Sequence, residues 1–140
     1  MEVEFLILAD AAQAVNGKLY VLGGGWSTIH PVALPLTHQV SVAAGFRIPW
    51  NETNQVHHIE IAIVTADGNP IVPPLRGELE MGRPAGLRPG SDQTPVIAMT
   101  ANTRFERDGR YEVQVRVEDQ IVKTITFDVA PPAKASPPAP

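Results

Sequence analysis

The chain has 140 residues, 44% of them hydrophobic and 19% charged, which suits one ordinary domain with a packed core and is too apolar for a disordered polymer. A formal net charge of -4 argues against a general nucleic-acid binder. The absence of cysteine excludes disulfides, thiolate nucleophiles and zinc sites of the cysteine type.

The N-terminus reads MEVEFLILADAA, with Glu2 and Glu4 where an export signal needs lysine or arginine. The apolar run from Phe5 to Ala9 is short and reads as a strand. No stretch approaches the ~20 apolar residues of a membrane span, so the expectation is a cytoplasmic protein without a membrane partner. Asp10 to Val15 is the best candidate for a helical turn, with Asp10 as its cap and Gln13 reaching back. Asn16-Gly17 is a type I′ turn signal leading into a strand from Lys18 to Leu22.

Three glycines, Gly23 to Gly25, then precede Trp26. A phosphate cradle would need a helix after the glycines and usually a lysine within it. Instead Ser27-Thr28-Ile29-His30-Pro31 follows, β-branched and ended by proline, and Lys18 lies on the wrong side. The glycines are therefore expected to bend the strand and hand Trp26 to the core.

Val40, Val42, Ala44, Phe46 and Ile48 alternate with Gln39, Ser41 and Arg47, the pattern of a strand with one face on a core and one in water. Trp50 lies in the turn after it, within Pro49 to Asn54. Asn51-Glu52-Thr53 matches a glycosylation sequon, which carries little weight where no secretory signal is expected. Alternation resumes from Val56 to Ala66 and ends at the turn Asp67-Gly68-Asn69-Pro70. Glu78 and Glu80 share one strand face and are expected in solvent. Gly82 to Pro95 is a long polar loop, of the kind that binds something or moves.

After Asp108-Gly109, the valines Val113, Val115 and Val117 follow Tyr111 at alternate positions. Ile121, Ile125, Phe127 and Val129 share a parity in the last strand. Pairing Val117 with Ile121, Val113 with Ile125 and Tyr111 with Phe127 predicts a three-residue loop, Glu118-Asp119-Gln120. Residues 130–140, Pro- and Ala-rich, are expected to form a disordered tail after a single domain over 1–129. The whole predicts an all-β, immunoglobulin-like antiparallel sandwich of roughly seven to nine strands.

Two resemblances support this. The run Asp108-Gly109-Arg110-Tyr111-Glu112-Val113 resembles the tyrosine corner of immunoglobulin-like sandwiches, with Val113 where disulfide-bearing domains carry cysteine. The segments LADAAQ and GKLYVLGGGW, with RYEVQVRVEDQIVKTITFDV near the end, are similar to an uncharacterised family of small bacterial β-sandwich proteins, largely actinobacterial. That resemblance implies a fold and a source but no activity.

No catalytic constellation is assembled by the sequence. Ser27, Ser41 and Ser91 lack a nucleophile-elbow context. His58 and Glu60 share a strand face and, with His30 or His38, could form a metal triad if neighbouring strands align. The candidate contact surface is Trp50 with the loop arginines Arg83 and Arg88, since tryptophan is enriched at interfaces and arginine meets acidic partners. The leading expectation is a non-enzymatic module, without cofactor, that acts through protein–protein contacts as a homo-oligomer or accessory subunit. The alternatives are a small-ligand or carbohydrate-binding module using Trp50 and the 82–95 loop, and a metal-dependent enzyme through His58 and Glu60.

Overall fold

Period-two alternation becomes nine strands in the computed structural model, which describes residues 1–133. They are β1 (Glu2–Val15), β2 (Lys18–Gly24), β3 (Thr28–Ile29), β4 (Leu36–Arg47), β5 (Val56–Thr65), β6 (Leu75–Glu80), β7 (Val96–Phe105), β8 (Gly109–Val117) and β9 (Gln120–Val129), with one 3-10 turn over Trp50–Glu52. A four-stranded sheet in the order β2-β1-β4-β7 packs on a five-stranded sheet in the order β3-β9-β8-β5-β6. The expected tail lies outside the described residues from position 134 onward.

The core between the sheets comes from one parity of each strand. Leu6 and Leu8 of β1 meet Val40, Val42, Ala44 and Phe46 of β4. These face Ile61 and Ile63 of β5, Val113 and Val115 of β8, and Phe127 and Val129 of β9. All are buried, which is the burial that alternation demands of a sheet with one apolar face.

The other face of β4 departs from expectation. Ser41, Ala43 and Gly45 alternate with the core residues, yet all three are buried rather than washed by solvent. The Phe5 ring lies over Gly45 so closely that a Cβ there would collide with it. Ser41 and Thr100 exchange a hydroxyl hydrogen bond of 2.8 Å. β1 and β2 also lie against β7, although β4 separates them in the sheet. The alternation of β4 is therefore apolar against small, which sequence polarity reads as half-exposed.

The helical turn expected from Asp10 to Val15 is absent, and β1 runs straight through it. Asn16 and Gly17 take φ of 51° and 73°, the tight turn predicted for them, and this aligns Ala11 with Leu22 and Val15 with Lys18. Hairpin pairing supplies backbone bonds along the whole segment, which a single capped turn cannot match.

The last hairpin corrects the loop length. Its turn has two residues, Glu118 and Asp119, at φ of 50° and 64°, and Val117 faces Gln120. Tyr111–Phe127 and Val113–Ile125 pair as expected, but Arg116 rather than Val117 faces Ile121. A register shift between Val115 and Arg116 absorbs the missing residue. The two-residue turn matches the strand twist, and the bulge restores parity beyond it. Ile121 consequently turns outward and is 50% exposed.

The tyrosine corner is present. The Tyr111 hydroxyl donates to the Arg107 carbonyl at 2.6 Å, and its ring stacks on Phe127. Removing that bond in Tyr111→Phe is expected to cost about 1 kcal/mol in chemical denaturation. Burial pushes the phenol above the 10.0 of a free tyrosine. The folded state thus favours the neutral form. Its contribution to stability is intact below pH 10.0 and falls as pH climbs through the higher folded value. The alkaline loss of stability should be smaller in Tyr111→Phe, as read by thermal unfolding across that range.

Candidate functional site

Trp50 sits where β4 ends and the chain turns toward β5. Pro49 enters the 3-10 turn in extended conformation, and Thr53 leaves it the same way. Thr53 is buried, and its hydroxyl donates to the Trp50 carbonyl at 2.6 Å. Arg83 reaches this turn from the long loop. Its Nε donates to Thr53 Oγ1 and one terminal nitrogen to the Trp50 carbonyl, each at 2.7 Å. The guanidinium then lies 4.1 Å above the Trp50 ring. Trp50 is half-buried beneath it.

The structure brings two of the three expected contact residues together, Trp50 and Arg83. Thr53, which sequence reading overlooked, joins them. A β-branched hydroxyl three residues after a tryptophan in a turn is a recognisable local bond-former, but nothing in sequence points it at Arg83. Arg88 stands apart. Its carbonyl accepts from the Ser91 backbone and hydroxyl within its own turn, and its side chain is exposed.

The loop that carries both arginines is anchored at its ends. Gln93 and Ile48 exchange backbone bonds at 2.8 and 2.9 Å, Asn54 donates to Met81 at 2.7 Å, and the Gln93 side chain bonds Gly82. Arg83→Ala removes a cation–π contact and two hydrogen bonds. It is expected to lower stability by about 1–2 kcal/mol, and Arg83→Lys should recover only part of this because a point charge cannot fork. Urea titration of the three proteins reads the difference.

The histidines divide between the two ends and sheets. His57 points inward with Ile59, and its Nε2 pairs with the Glu52 carbonyl at 2.9 Å. His58 and Glu60 lie on the solvent face of the five-stranded sheet. Their neighbours across to β6 are Glu78 at 3.7 Å from His58 and Arg76 at 3.7 Å from Glu60. These side chains line a shallow groove of about 420 Å³. His38 belongs to β4 in the other sheet and His30 to the loop after β3, so neither strand alignment places them beside His58. Among the described residues, no group of three or more metal-ligating side chains converges.

The glycine segment has become a sheet crossing. Gly23 and Gly25 take φ of 60° and 87°, and the Gly25 amide donates to the Leu8 carbonyl at 2.8 Å. The chain then leaves the four-stranded sheet and runs as β3 parallel to β9 in the other. Trp26 is set edge-on to Phe127 at 6.0 Å and to His38 at 6.3 Å. Together with Asp10, His30, Val32 and Pro35 it lines an open cleft of about 630 Å³.

On the back of the four-stranded sheet, the hairpin of β1 and β2 turns apolar side chains outward. Tyr20 is 58% and Leu22 72% exposed, and with Ala11 and Thr100 they border a groove of about 320 Å³. Phe5 and Val15 of the same hairpin are also exposed.

Fold and surface together define an all-β sandwich of nine strands with an outward apolar hairpin at one edge. Residues 4–130 match a family of unknown function, DUF6941, and the chain belongs to it. No curated protein matches. Among solved structures, the chain is similar to the Pseudomonas fluorescens alkylpurine DNA glycosylase AlkC bound to DNA containing an abasic site analog, at 16% identity and a TM-score of 0.39. That match covers 74% of this chain and 29% of the glycosylase. A mutant β-glucosidase from Listeria innocua in complex with laminaribiose is similar at 13% identity and a TM-score of 0.32, over 92% of this chain and 16% of the enzyme. The chain thus spans less than a third of either protein. Likenesses of this depth carry no argument about activity. No helix among the described residues is long and apolar enough to cross a membrane.

Proposed function

We propose that this chain is a non-enzymatic β-sandwich that works through protein–protein contacts, as a homo-oligomer or an accessory subunit. The observation that carries the reading is the outward pair Tyr20 and Leu22 on β2, with most of each side chain in water. Apolar surface gathered on one strand in this way is suited to contact with another protein chain. The polar groups offer supporting evidence, because several are committed to structural bonds: His57 to Glu52, Thr53 to Trp50 and Arg83, Ser41 to Thr100. Arg88 adds an exposed basic point on the long loop, suited to an acidic rim on a partner.

Immobilised wild-type protein and a Tyr20→Ser/Leu22→Ser variant, both verified as folded, would be exposed to an extract of the source cells. A stoichiometric partner that the variant loses supports the reading. Identical eluates from both, combined with a monomeric wild type, sink it.

A small-ligand module is the second reading, and the cleft beside Trp26 favours it over the region around Trp50. Arg83 already occupies one face of the Trp50 ring, where a sugar would stack. Titration of a glycan and aromatic-amine panel should quench fluorescence in wild type and Trp50→Phe but not in Trp26→Phe. Quenching abolished by Trp50→Phe would instead return the ligand site to the loop.

A further inference from the structure

The sheets of a sandwich end in strands with an unpaired backbone edge, and such an edge is a template for another strand unless it is defended. The edges of this chain are defended unequally. β6 carries Arg76, Glu78 and Glu80 at alternate positions, all exposed. β9 is capped by β3 at Asp128 and Val129, bears Lys123 midway and is kinked by the register shift opposite Val115 and Arg116. β7 follows Pro95 and carries Arg104.

Over Leu19 to Leu22, ahead of the bend at Gly23 with its φ of 60°, β2 has none of these devices. From Leu19 to Gly24 it holds no charge and no proline, and its pairing with β1 shows no register shift. Among the described residues nothing pairs with its other edge. Tyr20 and Leu22 stand outward on the face away from the core, with Val21 between them pointing the other way.

We propose that β2 pairs antiparallel with the β2 strand of a second copy of this chain, about a twofold axis at Val21, joining their four-stranded sheets into one continuous sheet. The inference rests on the interaction reading above and deepens it by naming the partner and the surface.

Self-pairing is what the residue order of this strand fits. With Val21 on the axis, Tyr20 of each copy lies opposite Leu22 of the other, an aromatic–aliphatic pair that is made twice. Lys18, the lone charge of the strand, then lies opposite Gly24. The two lysines end about 20 Å apart at ~3.3 Å per residue, so no like charges meet. A parallel arrangement would set Lys18 against its own copy. A register shifted by one residue would turn Tyr20 and Leu22 to opposite faces of the joint sheet. Twofold pairing also uses up both free edges, so the assembly closes as a dimer instead of growing.

The test is a charge exchange read by sedimentation equilibrium at up to about 100 μM, where an association of micromolar strength is saturated. Wild type should show a concentration-dependent approach to twice the monomer mass. Tyr20→Glu and Leu22→Lys should each be monomeric, because each places two unpaired charges on the joint. The Tyr20→Glu/Leu22→Lys double variant should dimerise again, since each carboxylate then faces an ammonium of the other copy. An equimolar mixture of the two single variants should form a mixed dimer for the same reason. Circular dichroism and thermal unfolding identify any variant that has lost its fold.

A monomeric wild type at that concentration overturns the inference and leaves the extract experiment to decide the broader reading. A dimer that persists in folded single variants, or one that the charge exchange fails to restore, also overturns it.

Discussion

Phe127→Ala is expected to remove about 3–5 kcal/mol of stability, a large part of the 5–15 kcal/mol that a domain of this kind holds. The size of the effect follows from the position of the ring. Phe127 is 1% exposed and sits among three other aromatic rings: Tyr111 stacked at 5.6 Å, Phe105 edge-on at 5.9 Å and Trp26 edge-on at 6.0 Å. Truncation leaves a cavity that rigid rings on β7, β8 and the β2–β3 crossing cannot collapse into without moving their strands. Trp26 loses its edge-on contact with the Phe127 ring, so its emission should shift to the red before the global transition. Phe127→Leu keeps most of the volume and should cost clearly less. Guanidinium titration followed by far-UV circular dichroism measures both variants, with an unchanged slope showing that the denatured state is the same. A cost for the alanine below about 1 kcal/mol would mean that this cluster does not organise the core.

Gly23→Val should cost about 2 kcal/mol or more, and for a different reason. At φ of 60° a β-branched side chain meets the backbone of its own residue, a clash that glycine, with no Cβ, escapes. A Cβ at this position would also drive into the Asp10 carboxylate. Gly25→Ala keeps the unfavourable φ of 87° but meets nothing within 4 Å, so its cost should be smaller, about 1 kcal/mol. The ordering separates two accounts of the glycine triplet. If the glycines bend the strand, Gly23→Val weakens folding and shifts Trp26 emission, while inorganic phosphate leaves the melting temperature of wild type unchanged. A tolerated valine, together with a phosphate-dependent rise in melting temperature, would restore the ligand-cradle account.

The parts of the fold that were legible from residues share a common origin. Tyr20, Leu22 and the alternating valines of β8 announce strands because side chains on a strand obey a period of two whatever lies across from them. Asn16-Gly17 announces its turn because positive φ is a local property of those two residue types. Tyr111 announces its corner for a related reason, since the bond to Arg107 spans only four residues.

The failures all concern partners distant in sequence. Ser41 reads as solvent-facing, yet it and Gly45 on the same face are buried because β7 supplies Thr100 and β1 supplies Phe5. Glu118 to Gln120 reads as a three-residue loop because parity was counted along unbroken strands, and a bulge breaks the count at Val115. The candidate contact residues fared similarly. Trp50 was visible as a tryptophan in a turn, but whether its ring is bare or covered depends on Arg83, 33 residues away.

By itself the sequence determined the all-β class, the positions of most strands, the hairpin at Asn16-Gly17, the tyrosine corner and the bend at the glycines. Each of these follows from steric preferences and periodicity that act over a few residues. Only the tertiary structure decided which strand edges are left open, which apolar side chains find cover and which do not. Tyr20 and Leu22 look in sequence like any alternating pair of a strand. They become a surface because β2 lies at the end of its sheet, and sheet order is set by packing across the whole chain rather than by the residues of the strand itself.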